Sequence, residues 1–237
     1  MRNRRLQGRI TAGRFTLPAV ILICIVCWIG TSILLPAMSS EKEAGYALWQ
    51  SVCTLYLPAW ADRVISFMLY AAIGYFLIEL NNTFAIIRMR ASVQTSIYFL
   101  LVTICPGMHL LYAGDIAAVA FLISLFFLFK SYQHPRPVSY IFHSFVFIGA
   151  GSLLFPQLLY FIPLWLIGAY YFQSLTARSF CAALIGLSVS YWFLFGHAFF
   201  YGQMELFYQP FVELVHFQPV NPCLLYTSPS PRDRSLS

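Results

Sequence analysis

From residue 15 to residue 35 the chain carries no charged side chain, and stretches of similar apolar character recur at 64–80, 92–111, 113–129, 138–154, 157–172 and 180–200. A helix crosses the apolar thickness of a bilayer with roughly twenty residues, fewer where flanking groups reach for the interface. Recurrence of that length along one chain restricts the fold more than any other feature. A soluble domain carries roughly a quarter charged residues to wet its surface; this chain of 237 residues is 60% hydrophobic and 9% charged. The expected fold class is all-α: a polytopic transmembrane helix bundle of about seven helices at those positions.

The end of the chain is of a different kind. From Cys223 the sequence reads Cys-Leu-Leu-Tyr-Thr-Ser-Pro-Ser-Pro-Arg-Asp, which resembles a transposase adapter from sequencing-library preparation read as coding sequence. Residues 223–237 are therefore expected to be a non-native tail, with 1–222 forming a single integral membrane domain that is truncated at its C-terminal side.

A formal charge of +6 raises the question of a nucleic-acid partner, but the basic residues are scattered between apolar runs and form no patch. They read as topology instead. Arg2, Arg4, Arg5, Arg9 and Arg14 precede the first run without one acid, and Arg88, Arg90, Lys130, Arg136 and Arg178 punctuate the later ones. The positive-inside rule sets the N-terminus and these loops in the cytoplasm, with Glu41, Glu43, Asp62, Asp115, Glu205 and Glu213 on the other side. The first run is too long for the core of a signal peptide and is expected to remain as a helix. Even numbers of crossings must then separate successive basic loops. Pro106-Gly107 and Gly114-Asp115 divide 92–111 from 113–129, and the run from 140 to 172 must fold back around 152–157, where Pro156 sits. The segment 47–60 is short, holds Gln50 and is rich in Trp and Tyr, which suits an interfacial or re-entrant position. The expected location is a bacterial inner membrane, the expected partners the lipid bilayer and other membrane proteins or a lipid-linked substrate, and nucleic acid is not among them.

Residues with chemistry are few. There is no Gly-rich phosphate loop, no His-Glu-x-x-His and no Gly-x-Ser-x-Gly, and no cofactor follows from the sequence. Gly149-Ala-Gly-Ser inside a membrane run points to close helix packing. Cys24 and Cys27, spaced as a redox pair, sit among Ile, Val and Trp and read as small core hydrophobes. Glu79 is expected to pair with Arg88 or Arg90, and His143 to be neutral and bonded to a neighbouring helix. The candidate ligand site gathers His109, Asp115, His197 and Glu205 at the outer helix ends, with Asp62, Arg63 and His216 in the same zone. Pro106-Gly107 beside His109 could bend its helix to open a pocket. These residues come from separate elements without a metal-ligand spacing, so no metal is assigned; a shared pocket requires that His109 and His197 approach and that Asp115 point at them.

The stretch Gly151-Ser-Leu-Leu-Phe-Pro-Gln-Leu-Leu-Tyr-Phe-Ile-Pro-Leu, then Arg178-Ser-Phe-Cys-Ala-Ala-Leu-Ile-Gly-Leu and Tyr191-Trp, is similar to an uncharacterised family of multi-pass inner-membrane proteins from Bacteroidetes, over about residues 115–201. The resemblance implies location and architecture and brings no catalytic residues. Two functions stay open: a non-enzymatic cell-envelope or transporter-like component, and a lipid-linked (polyprenyl phosphate) sugar transferase or polymerase with a periplasm-facing site, in which Glu41, Glu43, Asp62 or Asp115 would serve as base or metal ligand.

Overall fold

In the computed structural model the described residues are 16–34, 49, 59–85, 91–104, 109 and 111–215. All regular structure among them is helical: α1 (Thr16–Leu34), α2 (Ala59–Phe84), α3 (Ala91–Ile104), α4 (Ala113–Lys130), α5 (Val138–Leu154), a 3-10 segment (Pro156–Phe161), α6 (Ile162–Tyr171), α7 (Ala177–Phe200) and α8 (Glu205–Val215). Three of these, α2, α4 and α7, are long and apolar enough to cross a membrane on length and composition alone. The chain is a membrane protein with a helical-bundle fold.

Local chemistry sets the boundaries. Asp62 stands in the first turn of α2, where a carboxylate meets the positive helix end. This helix begins five residues before the expected 64 and runs to 26 residues, about 39 Å at 1.5 Å per residue. Ending α5 at Leu154 follows from the next two residues, because proline disfavours helical backbone in its predecessor, and Phe155 before Pro156 is extended at φ −138°, ψ 87°. The run expected as one helix at 157–172 is instead a 3-10 segment followed by α6. Pro163 explains the change: its ring lacks an N–H and would strike a carbonyl one turn earlier, so an α-helix can begin just ahead of it but not pass through it. The helix α8 was not expected. It carries Pro210 inside it and lies on α7, with Phe211 against Tyr191 and Phe207 against Phe195. Apart from residues 49, 59 and 60, the segment 47–60 lies outside the described residues, as do Glu41, Glu43, Arg88, Arg90, Pro106-Gly107, His216 and the tail 223–237.

The packing is that of a protein in lipid. Large apolar side chains such as Leu22, Ile33, Met68, Trp192, Phe193 and Phe200 are exposed, while small hydroxyl residues including Ser66, Thr95, Ser124, Ser144 and Ser179 are fully buried. Hydrocarbon tails solvate the former, whereas polar groups at that depth must find protein partners. One core joins Trp28, Tyr70, Ile73 and Val102 of α1 to α3, and a second joins Leu128, Ile141, Phe145, Ile148, Trp165, Ala169 and Ala183 of α4 to α7. Residues of α4 pack against both. Glycines let the backbones close on each other: a Cβ on Gly149 would come within 2.8 Å of the Ser190 hydroxyl, and one on Gly151 within 2.7 Å of Leu158.

Contacts sort the helix ends into two groups. At one end Phe84 meets Phe126 and Phe129, Phe129 and Tyr132 meet Phe172, and Lys130 lies over the rings of Phe126 and Tyr140. Arg136 and Arg178, at the starts of α5 and α7, belong to this cationic end. At the other, Trp28 bonds to Arg63 O, Tyr70 to Asp115, and Ser152 to Tyr191. Successive helices therefore run up and down.

Candidate functional site

The buried ionisable groups gather at the end opposite the cations, where α1 to α4 meet. His109 follows α3 and is only 3% exposed. Its ring stacks on Trp28 with centroids 3.8 Å apart and planes at 21°, and Trp28 in turn meets Phe67 and Tyr70 edge-on. The Trp28 indole donates to the Arg63 carbonyl at 3.3 Å. Together these contacts hold the imidazole in one orientation.

Proton counting then fixes its chemistry. Thr31 Oγ1 donates to the Trp28 carbonyl at 3.0 Å, and the same oxygen lies 2.8 Å from His109 Nδ1. A hydroxyl has one proton, so both bonds are made together only if Nδ1–H donates to Thr31. That leaves Nε2 as a bare lone-pair acceptor in the neutral ring. Nε2 is buried and, among the described residues, has no hydrogen-bond partner.

Asp115 is buried close by in the first turn of α4. Its Oδ1 accepts from the Tyr70 hydroxyl at 2.9 Å, and its Oδ2 from the Tyr112 backbone N–H at 3.0 Å. The second bond closes the start of the helix, since Asp115 N–H donates back to the Tyr112 carbonyl, and the helix dipole favours a carboxylate there. Both carboxylate oxygens are thus engaged. The Tyr98 ring lies 6.4 Å from that of Tyr70, and the Tyr98 hydroxyl is a second buried polar group without a partner among the described residues.

Of the four residues singled out from the sequence, His109 and Asp115 are joined through Trp28 and Tyr70. His197 and Glu205 are exposed on α7 and at the start of α8, His197 lying against Tyr201. Among the described residues no three His, Cys, Asp or Glu side chains are grouped to hold a metal ion, so the four do not converge on one centre. His143 bonds its own helix instead of a neighbour, Nδ1–H donating to Ser139 O at 2.6 Å. Glu79 accepts from Thr83. Cys24 and Cys27 are free thiols, and Cys24 accepts from Thr103 at 2.9 Å. Trp28, Thr31, Tyr70 and Tyr98 were not legible as site residues, because an aromatic or threonine in an apolar run carries no mark of what it will touch.

His109 stands beyond Ile104, the last residue of α3, and burial, aided by the Arg63 charge, holds its proton affinity below the ordinary value. A group whose folded pKa is depressed this way costs stability once the unfolded form begins to protonate, near pH 6.5. Stability should therefore be full at neutral pH, fall as pH drops below that value, and level off below the folded pKa. Thermal midpoints of the full chain in detergent between pH 8 and pH 5 will show this slope, and His109→Phe will flatten it. An unchanged slope in that variant would assign it to other groups.

Compared with protein families, with curated proteins and with solved structures, the chain matches none.

Proposed function

We propose that this is a multi-pass protein of a bacterial inner membrane, its N-terminus and cationic end in the cytoplasm, acting as a non-enzymatic, transporter-like component of the cell envelope. The ligand it takes at the His109 end is small and presents an N–H or O–H donor. One observation carries the reading: an imidazole fixed by Trp28 and Thr31 keeps a buried acceptor nitrogen with no partner among the described residues. An unmet buried polar group costs about 1–3 kcal/mol, and a ligand donor would recover it. The apolar runs and the basic residues between them support the location. A lipid-linked sugar transferase would draw its base or metal ligand from Glu41, Glu43, Asp62 or Asp115; Glu41 and Glu43 lie outside the described residues, and both oxygens of Asp115 already accept bonds that hold the helix start and Tyr70 in place. Membrane proteins or a lipid-linked molecule remain the partners this location offers.

Native mass spectrometry on the full chain extracted from its membranes tests the proposal. The wild type should carry a small-molecule mass that His109→Phe lacks, while the variant remains at least as stable at pH 7.5, since phenylalanine keeps the stack on Trp28 and removes the unmet acceptor. A bare wild type, or equal retention by both proteins, would contradict it.

A further inference from the structure

At the cationic end an open groove of about 1120 Å³ lies between the first turns of α5 and α7. Both helices start here and run side by side, so their positive ends emerge together. Arg136 and Arg178 line the rim with Ser139 and Thr176, and among the described residues no acidic one lines the groove. Both arginines are exposed, and neither guanidinium has a hydrogen bond or ion pair with another described residue. Further along the helices the lining turns apolar, with Phe142 and Ile185. Cation at the rim and hydrocarbon beyond it, one to two helical turns deeper, match the two parts of one kind of molecule.

We propose that this groove binds an anionic phospholipid, its phosphate on Arg136 and Arg178 and an acyl chain along Phe142 and Ile185. Charge complementarity selects the headgroup, because two unpaired arginines at a membrane surface attract an anionic lipid and gain little from a zwitterionic one. The paired fork geometry of guanidinium suits phosphate oxygens. Free phosphate would use the rim alone and leave the apolar wall bare. Lipid in this position would also seal the open flank between two helices whose contact is otherwise built on small residues, Gly186 against Phe142 and Gly149 against Ser190. The groove is separate from the site at His109 and does not depend on the ligand taken there.

The test is a titration of the full chain in detergent with phosphatidylglycerol and with phosphatidylcholine, read by native mass spectrometry. Phosphatidylglycerol should bind in preference. Arg136→Gln with Arg178→Gln should weaken it about thirtyfold, from roughly fivefold per basic residue, while Arg136→Lys with Arg178→Lys, which keeps the charge and loses the fork, should weaken it less than the glutamine pair does. Binding of phosphatidylcholine should not change. Ile185→Trp, which keeps both arginines and fills the wall, should also weaken phosphatidylglycerol, and it decides the matter if the glutamine variant fails to fold. Equal affinity for the two lipids, unchanged phosphatidylglycerol binding in the glutamine or tryptophan variant, or displacement of the lipid by millimolar inorganic phosphate would overturn the proposal.

Discussion

Gly186→Leu should leave little folded protein. A Cβ at this position would lie 2.7 Å from the carbonyl oxygen of Phe142 and 3.3 Å from the backbone nitrogen of Val146. Both are main-chain atoms of α5, so no side-chain rotation can relieve the clash, and α5 and α7 would have to separate. Separation exposes the rest of their seam, where Gly149 closes on Ser190 and Ser190 Oγ donates to the Val146 carbonyl at 3.1 Å. Overpacking typically costs about 1–3 kcal/mol where neighbours can yield, and backbone on backbone belongs at or above the top of that range. Gly196, on the same helix, has nothing within 4 Å of an added Cβ. Gly196→Leu should therefore fold normally, helped by the higher helix propensity of leucine. Monodisperse yield on size exclusion and the thermal midpoint will compare the two, and equal behaviour would mean the seam is looser than these distances imply.

Trp165→Ala should cost about 3–5 kcal/mol, as expected for truncating a buried tryptophan. Trp165 is 2% exposed at the centre of the second core, with the Phe121 ring at 4.9 Å. Its indole N–H reaches Ser124 Oγ at 2.9 Å and Ser144 Oγ at 3.0 Å. Each serine hydroxyl also donates across to the other helix, Ser124 to the Ser144 carbonyl and Ser144 to the Ser124 carbonyl. Three helices are tied at one point, α6 through this indole. Trp165→Phe keeps most of the buried surface and leaves the serine exchange intact, so it should lose only the shared N–H, about 1 kcal/mol in a membrane setting. The gap between the two variants separates packing from hydrogen bonding. A loss below about 1 kcal/mol for alanine would show that the core can collapse around the space.

How much of this could be read from the chain depends on what each feature rests on. Runs such as 138–154 end where charge or proline ends them, and α5 occupies those residues. Pro163 sits only seven residues after Pro156 inside a run that is otherwise uniformly apolar; its apolar surroundings concealed that the backbone changes from 3-10 to α there. In α8 an internal proline and two glutamates obscured an apolar side that packs on α7. At the site, alternation of crossings gives the end of the bundle on which a residue lies but not its position around the bundle. That is why His109 and Asp115 come together while His197 and Glu205, placed at the same end, stand apart and exposed. Thr31 meets His109 across 78 residues of sequence and Tyr70 meets Asp115 across 45, distances at which periodicity carries no information.

The His109 site is at the outer end of the bundle only if Lys130, Arg136 and Arg178 face the cytoplasm. Alkaline phosphatase, active only outside the inner membrane, reads this directly when fused in a bacterial host after Arg136 and after Glu205. The fusion at Arg136 should be inactive and the one at Glu205 active; activity at Arg136 or silence at Glu205 would contradict this orientation.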